Sequence, residues 1–324
     1  MIWLELFGGL VLLLVGGEAL VRGSVAAATR LGVSQFLIGL TLVGFGTSMP
    51  ELVASLQAAM IGAPGIAIGN IVGSNIANIL LILGVSAVIF PIATQPRAFA
   101  RDGAVLIGAS LLFAGLTLFG HIGRGTGIAL VLLLLAYTLF TYFADKNDGA
   151  QAEMHSHEAA ELAQTPMALW AALALALAGI VGVVWGADLL VGASVEIARA
   201  AGLSEAVIGL TLVAVGTSLP ELVTSVMAAI RRHGDVAIGN VIGSNIFNVL
   251  GIGGVTAAVS PIAVPAQIVE LDVWVMLGAA LLAVVFATTG RVVSRREGGV
   301  FIALYLGYLA VQLNPALRET LGLS

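Results

Sequence analysis

The chain has 324 residues, 59% of them hydrophobic and 10% charged, with a net charge of -5 and no cysteine. Soluble domains carry about 25% charged residues, so a water-soluble fold could not hide this much apolar surface and the lipid bilayer is the expected solvent. Without cysteine there are no disulfides or thiolate metal sites, and no basic patch points to nucleic acid.

In chain order, the first apolar segment runs over about 2–21. It has no basic leading region and is too long for the core of a signal peptide, so it reads as a retained helix. A spanning helix needs about 20 mostly apolar residues, and 125–144 and 167–187 meet that length without a charge. Hydropathy windows give spans at about 2–21, 36–61, 66–90, 103–120 and 125–144. A second set follows at about 167–191, 206–230, 236–260, 272–290 and 298–314. Between the sets lies a polar linker, 145–166, whose His155 and His157 sit with Glu153, Glu158 and Glu161. That spacing matches no diagnostic metal motif, so a solvated linker is expected.

Aligning the chain on itself at an offset of 170 pairs 39–92 with 209–262 without a gap, with 31 of 54 positions identical. The densest blocks are GLTLVGFGTSMPELV against GLTLVAVGTSLPELV, and AIGNIVGSNIANIL against AIGNVIGSNIFNVL. Residues 1–144 and 167–324 therefore read as two copies of one five-helix unit. An odd number of spans per copy makes the second enter from the opposite side. The expected fold is an all-α integral membrane protein of ten transmembrane helices in two inverted five-helix repeats. Ten basic residues (Arg22, Arg30, Arg97, Arg101, Lys146, Arg231, Arg232, Arg291, Arg295 and Arg296) fall in loops on one side, against Arg124, Arg199 and Arg318 on the other. Positive charge marks the cytoplasmic face, which puts both termini outside and the linker inside a cell-membrane protein. Inverted repeats with interrupted helices are a transporter plan, with the site near the midplane.

Glu51 and Glu221 lie in mid-span, where a charge costs about 2.5–3.5 kcal/mol on insertion scales. Each follows a proline, Pro50 or Pro220, which lacks an N–H and clashes with the carbonyl four residues back. Each helix should break there, and its freed carbonyls require a polar cavity. Thr47 and Ser48 lie four and three residues before Glu51, as Thr217 and Ser218 do before Glu221, so their hydroxyls share the carboxylate's face. The alternative for these hydroxyls is simple capping of a helix restarting at the proline. The following spans carry Asn70, Ser74 and Asn78, and Asn240, Ser244 and Asn248, beside small residues that permit close helix approach. Asn70 and Asn240 read as interhelical glue, and the other four as ligands. Such an all-oxygen set suits hard cations. Glu18 should pair with Arg22 four residues on, Asp188 lacks that partner, and Asp102 and Asp272 read as N-caps of their spans.

The paired GTSMPE/GTSLPE and GNIVGSNIAN/GNVIGSNIFN blocks closely resemble the two alpha-repeats of the cation/calcium exchanger superfamily, especially its prokaryotic sodium/calcium exchanger branch. The resemblance covers nearly the whole chain. It implies Ca²⁺/Na⁺ antiport by alternating access, with the first and sixth spans sliding over a fixed eight-helix core. It also implies calcium ligation by Glu51 and Glu221 with main-chain oxygens of Thr47 and Thr217. Sodium would use Ser48, Ser74, Ser218 and Ser244 with carbonyls near Gly44 and Ala214, and Asn78 would be a polar neighbour. Some members carry Asp where this chain has Asn248, a pattern shared with potassium-dependent exchangers, so potassium independence is expected. No cofactor beyond the transported ions and no protein partner is inferred. The competing readings are a Ca²⁺/H⁺ antiporter and a cation channel. An intramembrane enzyme would need a nucleophile–base pair or phosphate-binding loop beside the glutamates, and none is evident.

Overall fold

The computed structural model describes residues 1–38, 41–42, 44–94, 96–145 and 167–320. The expectations for Lys146 and for the linker, including His155 and His157, lie outside the described residues. In order, the first half holds α1 (Ile2–Arg30), α2 (Gln35–Ile38), α3 (Gly44–Gly46), α4 (Met49–Met60), α5 (Pro64–Ile76), α6 (Gly84–Ile89), β1 (Ile92–Ala93), α7 (Pro96–Thr117), β2 (His121–Ile122) and α8 (Arg124–Asp145). The second holds α9 (Leu169–Ala201), α10 (Glu205–Ile208), α11 (Ala214–Thr217), α12 (Leu219–Ile230), α13 (Gly234–Ile246), α14 (Gly253–Val259), β3 (Ile262–Ala263), α15 (Val273–Thr289), β4 (Val292–Val293), α16 (Arg295–Leu313) and α17 (Pro315–Thr320). π-helical turns at Ala77–Leu83, Gly209–Val213, Phe247–Ile252 and Ile268–Asp272 interrupt the ladder.

The chain is a mostly helical, multi-pass membrane protein. Among the described residues seven helices are long and apolar enough to cross a membrane, or up to eight if the bent pair Glu205–Thr217 and Leu219–Ile230 is one span. The windows at 36–61 and 298–314 are not continuous apolar helices of this kind. The first is divided among α2, α3 and α4. The second, α16, opens on Arg295, Arg296 and Glu297, with Glu297 closing a capping box on Ser294.

Burial sets the layers. In the spans Pro64–Ile89 and Val236–Val259, 83% of an 18-residue window is buried, against 22–44% in the other five. These two central spans carry the asparagine–serine stripes. Outside them, α1 and α9 pack on each other through small residues. A Cβ added at Gly9 would sit 2.7 Å from Gly186 O, one at Gly16 3.0 Å from Gly179 O, and one at Gly23 2.7 Å from Ala172 O. That register runs in opposite directions, so the helices are antiparallel and their backbones touch, which only small residues permit. The helices run 29 and 33 residues, well past the expected ends near 21 and 191. At about 1.5 Å per residue the longer far exceeds a hydrocarbon core of about 30 Å, and it must tilt or project. Polar groups sustain the extensions: Glu18 pairs with Arg22 as expected, and Arg30 Nε donates to Met167 O at 2.8 Å. Asp188 does have a partner, Gln57 Nε2 at 2.9 Å, which the intrahelical comparison alone could not supply.

The expected N-caps are corrected. Asp102 lies inside α7, bonded to Arg101 and accepting from Tyr137 OH at 3.0 Å. Asp272 ends a π-helical turn with no capping bond. It is fully buried, and its Oδ1 accepts from Tyr308 OH at 3.0 Å and from Gln312 Nε2. Beyond it, Gln312 Oε1 accepts from Gln267 Nε2 and Arg318 Nη1, both at 3.0 Å. Ser204 Oγ donates to Gln267 Oε1 at 2.8 Å. Burial favours such pairing, because an unpaired polar group in an apolar interior costs free energy; Asp272 Oδ2 has no hydrogen-bond partner among the described residues.

Two short antiparallel ribbons join the halves: Ile92–Ala93 pairs with Val292–Val293, and His121–Ile122 with Ile262–Ala263. Each half's first strand thus pairs with the other half's second.

Candidate ion-binding site

The two Gly-Thr-Ser-x-Pro-Glu motifs fold alike because their prolines impose the same break. Thr47–Ser48 is a turn between α3 and α4, with Pro50 in the first turn of α4. Ser218 links α11 to α12, with Pro220 likewise placed, and the segments on either side are bent by 48°. Proline at a helix start loses no hydrogen bond that was available, so the chain breaks just ahead of each glutamate. Both glutamates then begin a new helix, with side chains 1% and 0% exposed.

Each carboxylate is held by the other half's serine. Ser218 Oγ donates to Glu51 Oε1 at 2.9 Å, and Ser48 Oγ to Glu221 Oε1 at 2.6 Å. Ser48 Oγ also reaches Ser244 Oγ at 3.2 Å, and Ser244 Oγ lies 3.5 Å from Glu221 Oε1. Asn70 Nδ2 binds Glu51 O at 3.1 Å and Ser55 Oγ at 2.9 Å. Its Oδ1 accepts from Thr217 Oγ1 at 3.1 Å and Ser74 Oγ at 3.4 Å. Asn240 repeats the first part, with Ser225 Oγ at 3.0 Å and Glu221 O at 3.5 Å. Both asparagines thus bind neighbouring helices together, as expected.

Ser48, Ser74, Asn78, Thr217, Ser218, Ser244 and Asn248 are also fully or almost fully buried, while Thr47 and Gly44 are half-buried. Ala214 is buried, and its carbonyl accepts from Ser218 N at 3.1 Å and from Thr217 Oγ1 at 3.4 Å. Two residues escaped the sequence reading. Asn245 Oδ1 accepts from Asn78 Nδ2 at 3.0 Å and its Nδ2 donates to Asn75 O at 3.3 Å, tying the central spans together. Asn75 and Asn245 stand in the duplicated Gly-Ser-Asn-Ile block, so the repeat was the available signal. They fall off the four-residue stripe, and a single-stripe reading passes over them.

This packing leaves a set of buried oxygens without a hydrogen-bond partner: Glu51 Oε2, Glu221 Oε2, Thr47 Oγ1, Asn75 Oδ1, Asn78 Oδ1 and Asn248 Oδ1. Buried polar atoms are ordinarily satisfied, and unpaired carboxylate oxygens in a low-dielectric interior are among the costliest exceptions. A hard cation would satisfy them, and oxygen ligands of this kind are what calcium takes. Among the described residues no group of three or more acidic, histidine or cysteine side chains forms a richer metal site.

A family described as sodium/calcium exchanger protein matches residues 1–143 and 171–314. The chain belongs to the sodium/calcium exchanger family. It is 35% identical to sodium/calcium exchanger MaX1 of Methanosarcina acetivorans, over 95% of this chain and 97% of that protein. It is 38% identical to an uncharacterised membrane protein of Methanocaldococcus jannaschii, over 92% and 93%. A solved structure of the sodium-calcium exchanger NCX_Mj, soaked with Na⁺ and Sr²⁺, aligns at 34% identity and a TM-score of 0.64, covering 96% of this chain and 99% of that one. The resemblance to the prokaryotic branch is therefore borne out. The Methanosarcina protein and the solved structure are exchangers by name.

Proposed function

We propose that this family member is a secondary active antiporter exchanging Ca²⁺ for Na⁺ across the cell membrane by alternating access, without K⁺. The observation that carries the reading is the reciprocal pairing of two buried glutamates from opposite halves, each left with one unpartnered oxygen. Two carboxylates carry a charge of -2, which one divalent or several monovalent cations neutralise, so the ions compete for the same oxygens. An empty, charged site is costly in lipid, which disfavours a return stroke without cargo. In this reading Glu51 and Glu221 bind Ca²⁺ with the main-chain oxygens of Thr47 and Thr217. Ser48, Ser74, Ser218 and Ser244 serve Na⁺ with carbonyls at Gly44 and Ala214, and Asn78 and Asn248 add neutral amide oxygens to the ligand set.

The reading includes ten spans in two inverted repeats, 1–144 and 167–324, joined by a cytoplasmic linker. Reciprocal strand pairing, β1 with β4 and β2 with β3, is what a two-fold axis in the membrane plane produces. The excess of basic residues in one set of loops supports putting Arg231 and Arg232 on the inside. Radiolabelled Ca²⁺ uptake into proteoliposomes should follow an outward Na⁺ gradient and be unchanged when choline replaces K⁺. Uptake driven only by a pH gradient would overturn the Na⁺ assignment, and a K⁺ requirement would overturn the role given to Asn248.

A further inference from the structure

Corresponding positions in the two halves do not have corresponding surroundings. Gly69, Asn70 and Gly73 on α5 are buried. A Cβ on Gly69 would lie 2.8 Å from Ala206 O, and one on Gly73 2.6 Å from Leu210 O, so α5 meets the 205–213 segment backbone to backbone. The counterparts on α13 are less buried: Gly239 is exposed, and Asn240 and Gly243 are half-buried. Among the described residues, a Cβ added to Gly239 or Gly243 meets nothing within 4 Å. The threonines differ in the same sense. Thr217 is fully buried, and its one hydroxyl proton is shared between Val213 O on its own helix at 3.0 Å and, across the halves, Asn70 Oδ1 at 3.1 Å. Thr47 is half-buried, and its hydroxyl has no hydrogen-bond partner among the described residues. Asn240 keeps only the contacts within its own half. On this side an aromatic stack, Phe45 on Phe247 with centroids 4.6 Å apart, stands where the other half has Val215 and Ala77.

Each asparagine is anchored by its Nδ2 to the glutamate turn of its own half, which leaves Oδ1 for the threonine of the other. Contact through that oxygen therefore reports whether the two halves are closed over the site. Building on the antiporter reading, we propose that Thr217–Asn70 and Thr47–Asn240 are alternating latches, one on each face of the ion site. One latch is made while the other is broken, and each crossing of cargo exchanges them. Identical chemistry on both faces keeps the two states close in free energy, as exchange in either direction requires. The open face here is the one at the Arg231–His233 end of α13.

The chain has no cysteine, so Gly239→Cys gives a single reporter in the full chain, reconstituted in liposomes and labelled with maleimide in choline buffer. Thr217→Val keeps shape and main-chain oxygen but removes the made latch. Losing one hydrogen bond should shift the populations roughly fivefold, slowing labelling at the reporter and raising amide hydrogen exchange over 205–213. Thr47→Val removes the latch of the opposite state, so the populations should shift the other way, with labelling at the reporter faster and exchange over 205–213 lower than in the parent. Thr217→Ser should restore the parent behaviour, and Thr217→Ala is the second test if the valine does not fold. Shifts in the same direction for both valine variants, or in neither, overturn the latches. Ca²⁺ uptake by the same liposomes separates the two proposals. Opposite shifts without Na⁺-driven uptake keep the latches and remove the Na⁺ reading, while uptake without opposite shifts does the reverse.

Discussion

At the residue scale the chemistry rests on Glu51 and Glu221, and their burial makes a charge-removing substitution informative. Glutamine keeps the size of the side chain and an acceptor for Ser218 or Ser48, but not the charge. Glu51→Gln and Glu221→Gln should each reduce Na⁺-driven Ca²⁺ uptake to background while thermal unfolding in detergent stays near the parent value. Uptake retained in either variant contradicts the site. Asp272 is the opposite case, a buried carboxylate remote from the Gly-Thr-Ser-x-Pro-Glu motifs. Asp272→Ala strands Tyr308 and Gln312, and unpaired buried partners cost about 1–3 kcal/mol. Its melting temperature should fall clearly, with Asp272→Asn in between because an acceptor remains. The two aspartate pairs also mark a limit of sequence reading. Position at a span's start suggested capping, whereas the partner side chains lie 35 and 36 residues further along, too far for any local pattern to reveal.

At the element scale, the prolines account for the broken helices and the small residues for their approach. Gly9, Gly16 and Gly23 recur every seven residues, and face Gly186, Gly179 and Ala172. The spacing was visible in the sequence, but its partner helix was not, because two helices 167 residues apart in start position share no local signal. Gly16→Leu would force α1 off α9, and overpacking of this kind costs about 1–3 kcal/mol. A lowered melting temperature is expected, with little change for Gly8→Leu, where an added Cβ meets nothing within 4 Å among the described residues. Equal effects for the two would contradict the packing. The first helix was read short for a related reason: its hydropathy window stops at Arg22, where the structure supplies Glu18 as a partner.

At the scale of the whole molecule, the ribbons tie the central spans of one half to the outer spans of the other. If they belong to a fixed core, locking one should not stop transport. Ala93 and Val292 are paired in register, and Ala93→Cys with Val292→Cys should form a cross-link that leaves Ca²⁺ uptake intact. Loss of uptake on oxidation, reversed by reductant, would show that the ribbon moves. By itself, the sequence determined that the chain lives in lipid, that it is built from one unit used twice, and that a carboxylate sits behind a proline break in each copy. Those follow from composition, repetition and the geometry of proline, all local or self-comparing signals. Only the tertiary structure decided which serine holds which glutamate, that Asn75 and Asn245 join the centre, and that Asn70 is buried while Asn240 is half-buried. Two copies that repeat the same Gly-Thr-Ser-x-Pro-Glu and Gly-Asn-x-x-Gly-Ser-Asn-Ile residues give the sequence no way to show that their surroundings differ. Among the described residues, Thr217 Oγ1 meets Asn70 Oδ1 and Thr47 Oγ1 has no partner, a difference that only contacts between the halves can make.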